Sequence, residues 1–298
     1  MLDKPKAALR NGAVLLAMAA TLAAQAAPAL LNARLIARPV TPGDVAKYGL
    51  PANTENSAGL NTVGIGTPVY LEVDVNLAFP ASTITNVSFA ITQKPNLSGA
   101  TITANTFPTN MGLFEPADHL IYQVAGRAVL RPDATTRGLP YIVTATIGTL
   151  TNGTTNVTLT INAGTYLGYQ PACVFCHSPG GGAPPKVPFW ETTEHASMFT
   201  RGIDGVLSSH YSASCEKCHT VGYDTNAASL ADNGFYSVAT AEGWTFPPTL
   251  NSNNWASMVS NYPDVANLAN IQCENCHGPA SEHWYASGDH TLAYWPRI

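Results

Sequence analysis

From about residue 34 to residue 166 the chain alternates apolar and polar positions with period two, the pattern of half-buried strands. Segment 69–77 puts Val69, Leu71, Val73, Val75 and Leu77 on one face, and segments 84–91, 120–124, 128–130, 141–147 and 156–161 follow the same rule. Thr151-Asn-Gly-Thr154 offers a hairpin turn between the last two. Short strands separated by turn signals predict an antiparallel β-sandwich over 27–166. After Gly168 the alternation stops. Pro/Gly stretches such as Ser178-Pro-Gly-Gly-Gly-Ala-Pro-Pro185 separate short helical fragments. One helix is predicted over 191–200, opened by acidic residues, and another over 254–262, stopped before Pro263. The fold class expected is therefore two-domain: an all-β first half, then a mostly α and irregular domain over 167–298. Sparse regular structure with dense aromatics suggests that a large apolar group, rather than side chains alone, builds the second core.

Composition changes the picture in three ways. Only 11% of the 298 residues are charged, against about 25% in a typical soluble domain. The net charge is −5 with no basic run, which argues against a nucleic-acid partner. The N-terminus reads as a secretory signal over 1–26: Lys4, Lys6 and Arg10 precede an apolar run at 13–24, and Ala24-Gln25-Ala26 is a small-residue cleavage site. That run is shorter than the roughly 20 residues a spanning helix needs. No transmembrane span is expected after its removal, and the chain is expected to be exported, to the periplasm or cell surface of a bacterium.

The first half carries no evident chemistry. It has no cysteine and no tryptophan, its one histidine, His119, precedes a predicted strand, its carboxylates are not expected to pair, and Gly64-Ile-Gly66 is too short for a phosphate loop. It resembles the immunoglobulin-like modules of exported bacterial proteins in architecture only, without the antibody-type disulfide and core tryptophan. A spacing, docking or adhesive role is expected of it.

All six cysteines lie in the second half, as Cys173-Val-Phe-Cys176-His177, Cys215-Glu-Lys-Cys218-His219 and Cys273-Glu-Asn-Cys276-His277. Each obeys Cys-x-x-Cys-His, the attachment signature of haem c. Two thiols at this spacing add across the two vinyl groups of one haem, and the adjacent imidazole falls beneath the iron as its proximal ligand. Three covalent haems c are predicted, with His177, His219 and His277 as proximal ligands. A zinc site pairs two Cys-x-x-Cys units and a disulfide framework fits an exported chain. Neither explains a histidine after every pair when histidine is 8 residues in 298. A thioredoxin-like redox site needs one pair in a βαβ setting, which is missing.

The sixth iron positions draw on His195, His210, His283 and, with less reason, His290. His210 lies five residues before Cys215 and His283 six after His277. Such offsets do not reach the far side of their own haem, so ligation of neighbouring haems is expected. Met198 and Met258 could also serve, although packing is the expected role of each.

The ordered set Cys173-x-x-Cys-His177, Trp190, Thr193-Glu-His195-Ala, Cys215-x-x-Cys-His-Thr-Val-Gly-Tyr223, Cys273-Glu-Asn-Cys-His-Gly-Pro279 and Ser281-Glu-His283 resembles the multihaem c-type cytochromes related to the tetrahaem electron carrier of nitrifying bacteria. The resemblance covers about a third of the chain. It implies closely packed haems, mostly bis-histidine irons, and a histidine after Cys-His-Gly-Pro that ligates another haem. The count of three motifs departs from the family's four or more, and a longer protein continuing past Ile298 into a further motif is expected on that ground. The function expected is an exported electron carrier. Second-half residues include four basic (Lys186, Arg201, Lys217, Arg297) and eleven acidic, so redox protein partners with basic docking surfaces are expected. The alternatives are a fragment of a multihaem oxidoreductase acting on a small nitrogen or sulfur compound, and a structural unit of an extracellular conduit. Oligomeric state is not legible.

Overall fold

The computed structural model describes residues 29–114 and 118–285. The signal reading at 1–26 and His290 lie outside them. Eight strands form two four-stranded sheets: β1 (Ala33–Arg38), β3 (Val69–Asn76), β6 (Tyr122–Leu130) and β5 (Ile102–Ala104) in one, β2 (Thr62–Gly64), β8 (Gly153–Gly164), β7 (Tyr141–Thr149) and β4 (Ile84–Gln93) in the other. All neighbours are antiparallel except β2 and β8.

The alternation explains the core. Val69, Leu71, Val73 and Val75 from β3 meet Tyr141, Val143, Ala145 and Ile147 from β7 and Leu159 and Ile161 from β8 in one apolar cluster that both sheets share. Leu77 falls past the end of β3 and is half-exposed, so the predicted stripe is one residue shorter. The predicted strands 120–124 and 128–130 are one strand, β6. Gly126 and Arg127 continue the ladder against β3, and Ala125 is the extra residue of β6 at the register shift between the Val73–Gly126 and Asp74–Val124 pairs. Gly126 lies under Val87 of the facing sheet, where a Cβ would have no room. Leu150-Thr151-Asn152 joins β7 to β8, and Gly153 closes the turn at φ 69°, a left-handed position suited to glycine.

The other face of β3 departs from the sandwich pattern. Tyr70, Glu72 and Asp74 alternate away from the core and are buried all the same. Helix Pro42–Tyr48 and the loop around Met111 cover them, with Val40, Leu50, Tyr70 and Met111 packed together. The helix starts at a Thr41/Asp44 capping box and ends on Gly49 at φ 61°. Both carboxylates are met by arginines. Glu72 accepts from Arg127 Nε at 2.7 Å and Arg38 Nε at 3.3 Å, and Asp74 from Arg34 Nε at 2.9 Å. The pairing is incomplete for Asp74: burial, and then the neighbouring Glu72 charge, push it up to about 7 despite Arg34.

The second half is a chain of one- and two-turn helices, and it has a side-chain core of its own. Phe199, Ile203, Tyr211, Val221, Phe235, Met258, Val265 and Leu268 form it, with Trp244, Phe246 and Trp255 at its margin. The aromatics of this half therefore pack on one another. Met258 belongs to that cluster. Helix Asn254–Asn261 matches the prediction. The predicted helix 191–200 does not form as one element. It is split into helix Val187–Glu191, a 3-10 turn Glu194–Ala196 and helix Met198–Ile203. The cause is local: the hydroxyls of Thr192 and Thr193 donate back to the carbonyls of Phe189 and Trp190, each at 2.7 Å, and compete with helix continuation. Asn270 Oδ1 then accepts from the Phe199 and Thr200 amides and starts the next helix.

Candidate functional site

Each Cys-x-x-Cys-His segment ends in a single helical turn: Val174–His177 after Cys173, Glu216–His219 after Cys215, and Cys273–His277. One turn carries both cysteines and the histidine on neighbouring positions, as thioether attachment with proximal ligation requires. None of the six cysteines is in a disulfide. Among the described residues no three of His, Cys, Asp or Glu converge as a site for a bare metal ion, so the Cys pairs do not assemble the four-ligand cage of a structural zinc.

The third motif organises the other two. Glu274, between its cysteines, is 3% exposed, and its carboxylate accepts the amides of Leu167 (3.1 Å), Gly168 (2.8 Å) and Ala280 (2.6 Å). That clamps the lead-in to the first motif. Asn267 reinforces it, donating to the Leu167 and Gln170 carbonyls at 3.0 and 2.7 Å and accepting from the Gln170 amide. The Cys173 and Cys273 side chains of motifs one and three are neighbours, and the Cys173 thiol holds the Cys273 thiol below its ordinary value. Asn275 Nδ2 donates to the carbonyl of Thr220, directly after His219, at 2.8 Å, and the Val221 amide donates to Leu268 at 2.9 Å. Ile271 binds the His195 turn through the His195 carbonyl and receives the Trp190 indole N–H on its own carbonyl at 2.8 Å. Three motifs far apart in sequence thus form one unit around 267–275.

The segment after His277 is locked to the β half. Gly278 sits at φ 80° with its Cα facing the Thr62 carbonyl, where a Cβ would collide. Ser281 exchanges hydrogen bonds with the Thr165 backbone, and buried Glu282 accepts from Thr136 Oγ1 at 2.9 Å and from the Arg137 amide. This fixes helix Ser281–Tyr285 and brings His283 to His177. Their ring centroids are 6.4 Å apart with planes 23° from parallel. The His177 Nδ1 lies 3.0 Å from the Pro184 carbonyl. A carbonyl only accepts, so Nδ1 carries the proton and Nε2 is left to ligate.

His219 Nδ1 faces the Tyr211 hydroxyl at 2.9 Å, and burial holds this imidazole below its ordinary pKa, in the neutral form a ligand needs. His277 is half-buried. His195 and His210 are exposed, with His210 Nδ1 3.3 Å from Ser208 Oγ. Among the described residues neither stacks on another histidine. His119 is exposed on a 3-10 turn. Residue types and spacing disclosed the cysteines and histidines but not Glu274, Asn267, Asn275 or Tyr211, whose contacts reach partners as far as 107 residues away.

The acidic excess is partly internal. Glu216, Asp232, Glu274 and Glu282 are buried, leaving Glu191, Glu194, Glu242 and Asp264 exposed. Burial pushes Glu216, Asp232 and Glu274 up to about 7. Their unfolded values are about 4, so between about pH 4 and 7 the native state binds protons that the unfolded chain has released. These groups' contribution to stability is therefore greatest at about pH 4 and falls steadily as pH rises to 7. Urea midpoints from circular dichroism at pH 5, 6, 7 and 8 test this; a midpoint that rises over the series would contradict it.

No protein-family model matches this chain, and no curated protein does either.

Proposed function

We propose that the chain is an exported multihaem c-type cytochrome that carries electrons between redox partners through three covalent haems. The observation that carries the reading is the convergence of three Cys-x-x-Cys-His turns on one hub, with the His283 ring brought to within 6.4 Å of the His177 ring. Cys173 and Cys176, Cys215 and Cys218, and Cys273 and Cys276 would hold the haems, with His177, His219 and His277 as proximal ligands. His283 would complete the iron of His177. His195, His210 and His290 stand as candidates for the other two. Bound haem supplies one-electron cycling between ferric and ferrous iron. The chain's residues set ligand orientation through the Pro184 carbonyl and the Tyr211 hydroxyl, and hold the three segments at fixed distances through Glu274, Asn267 and Asn275. We read the two-sheet half as an immunoglobulin-like sandwich, residues 1–26 as a secretory signal, and basic redox proteins as the partners.

The test is haem stoichiometry. In a host able to attach haem c, pyridine haemochrome assay and intact mass should give three haems per chain; none or one would end this reading. The exposure of His195 and His210 favours a second reading, a fragment of an oxidoreductase with one open iron. Carbon monoxide or nitrite binding to the native protein, one per chain, would select it.

A further inference from the structure

His177 and His219 occupy equivalent places in their motifs, yet their Nδ1 atoms face different chemistry. His177 meets a backbone carbonyl at 3.0 Å, whereas His219 meets the Tyr211 hydroxyl at 2.9 Å. The tyrosine is built into place. It is 8% exposed, its ring lies 17° from parallel to that of His219 at 5.6 Å, and Phe199 and Phe246 pack on it at 6.4 and 6.3 Å. Gly202 runs against its ring so closely that a Cβ there would collide with it.

A histidine that ligates iron through Nε2 carries its proton on Nδ1 and donates it. The stronger the acceptor, the more electron density the ring passes to the metal, which favours the ferric state. We propose, on the multihaem reading above, that Tyr211 is the positioning residue of His219, accepting its Nδ1–H and so setting the orientation and donor strength of that imidazole. A phenol oxygen is a weaker acceptor than a peptide carbonyl. The two ligands are thereby made unequal by residues outside the Cys-x-x-Cys-His signature.

Tyr211→Phe keeps the ring packing and removes only the acceptor. In a spectroelectrochemical titration of the holoprotein, one of three components should move to higher potential while two stay. Three unchanged potentials, or all three moving together, would overturn the proposal. If the variant does not accumulate, native protein in the diamagnetic reduced state decides. A nuclear Overhauser contact between the His219 imidazole N–H and the Tyr211 ring protons is expected, and its absence sinks the idea. A native protein that lacks haem would instead defeat the multihaem reading, so the two failures are distinguishable.

Discussion

Glu274→Ala is expected to lower the unfolding free energy by about 3–5 kcal/mol. The carboxylate is nearly inaccessible and accepts three backbone amides, those of Leu167, Gly168 and Ala280. Truncation leaves all three without an acceptor where water does not easily replace it. Each orphaned buried amide costs about 1–3 kcal/mol, and relaxation recovers part of the sum. Glu274→Gln should lose less, because one amide oxygen still accepts, although its NH2 opposes the remaining donors. Urea unfolding of both variants with limited proteolysis across 160–180 provides the measurement. A loss below about 1 kcal/mol for the alanine variant would mean that the cradle does not hold the first motif to the third.

His283→Ala carries the second large effect, in this case on the irons. If the chain carries three haems and His283 shares the iron of His177, as proposed, its removal should turn one of three low-spin irons into a high-spin iron able to take up one carbon monoxide per chain. Electron paramagnetic resonance and carbon monoxide titration read this directly. The variant should retain three haems, since no cysteine is touched. Retention of an entirely low-spin spectrum would dissolve the His177–His283 pairing, and a high-spin signal already present in the native protein would favour the oxidoreductase reading. Because Glu282 anchors the same helix to Thr136 and Arg137, the substitution leaves its placement intact.

Much of the strand pattern was legible because a sheet with one buried face writes its period into the chain, as β7 and β8 do. Where tertiary cover intervened, the pattern misled. Glu72 and Asp74 occupy positions that alternation assigns to solvent, and only the overlying Met111 loop with Arg34, Arg38 and Arg127 makes their burial tolerable. The predicted helix over 191–200 failed for a short-range reason, the back-bonding of Thr192 and Thr193. β1 and β5 pair at sheet edges, and their short segments carry little period of their own.

Sequence by itself determined the chemistry on offer: three Cys-x-x-Cys-His segments, each complete within five residues, since attachment and proximal ligation are local covalent geometry. Tertiary structure decided how those segments are related. The third motif holds the first through Glu274 and meets the second through Asn275, His283 comes to His177 because Ser281 and Glu282 are tied to the β half, and His219 receives a tyrosine where His177 receives a carbonyl. These contacts join residues up to 146 positions apart. Their polar groups find partners only when the chain is folded, and no local spacing encodes that outcome.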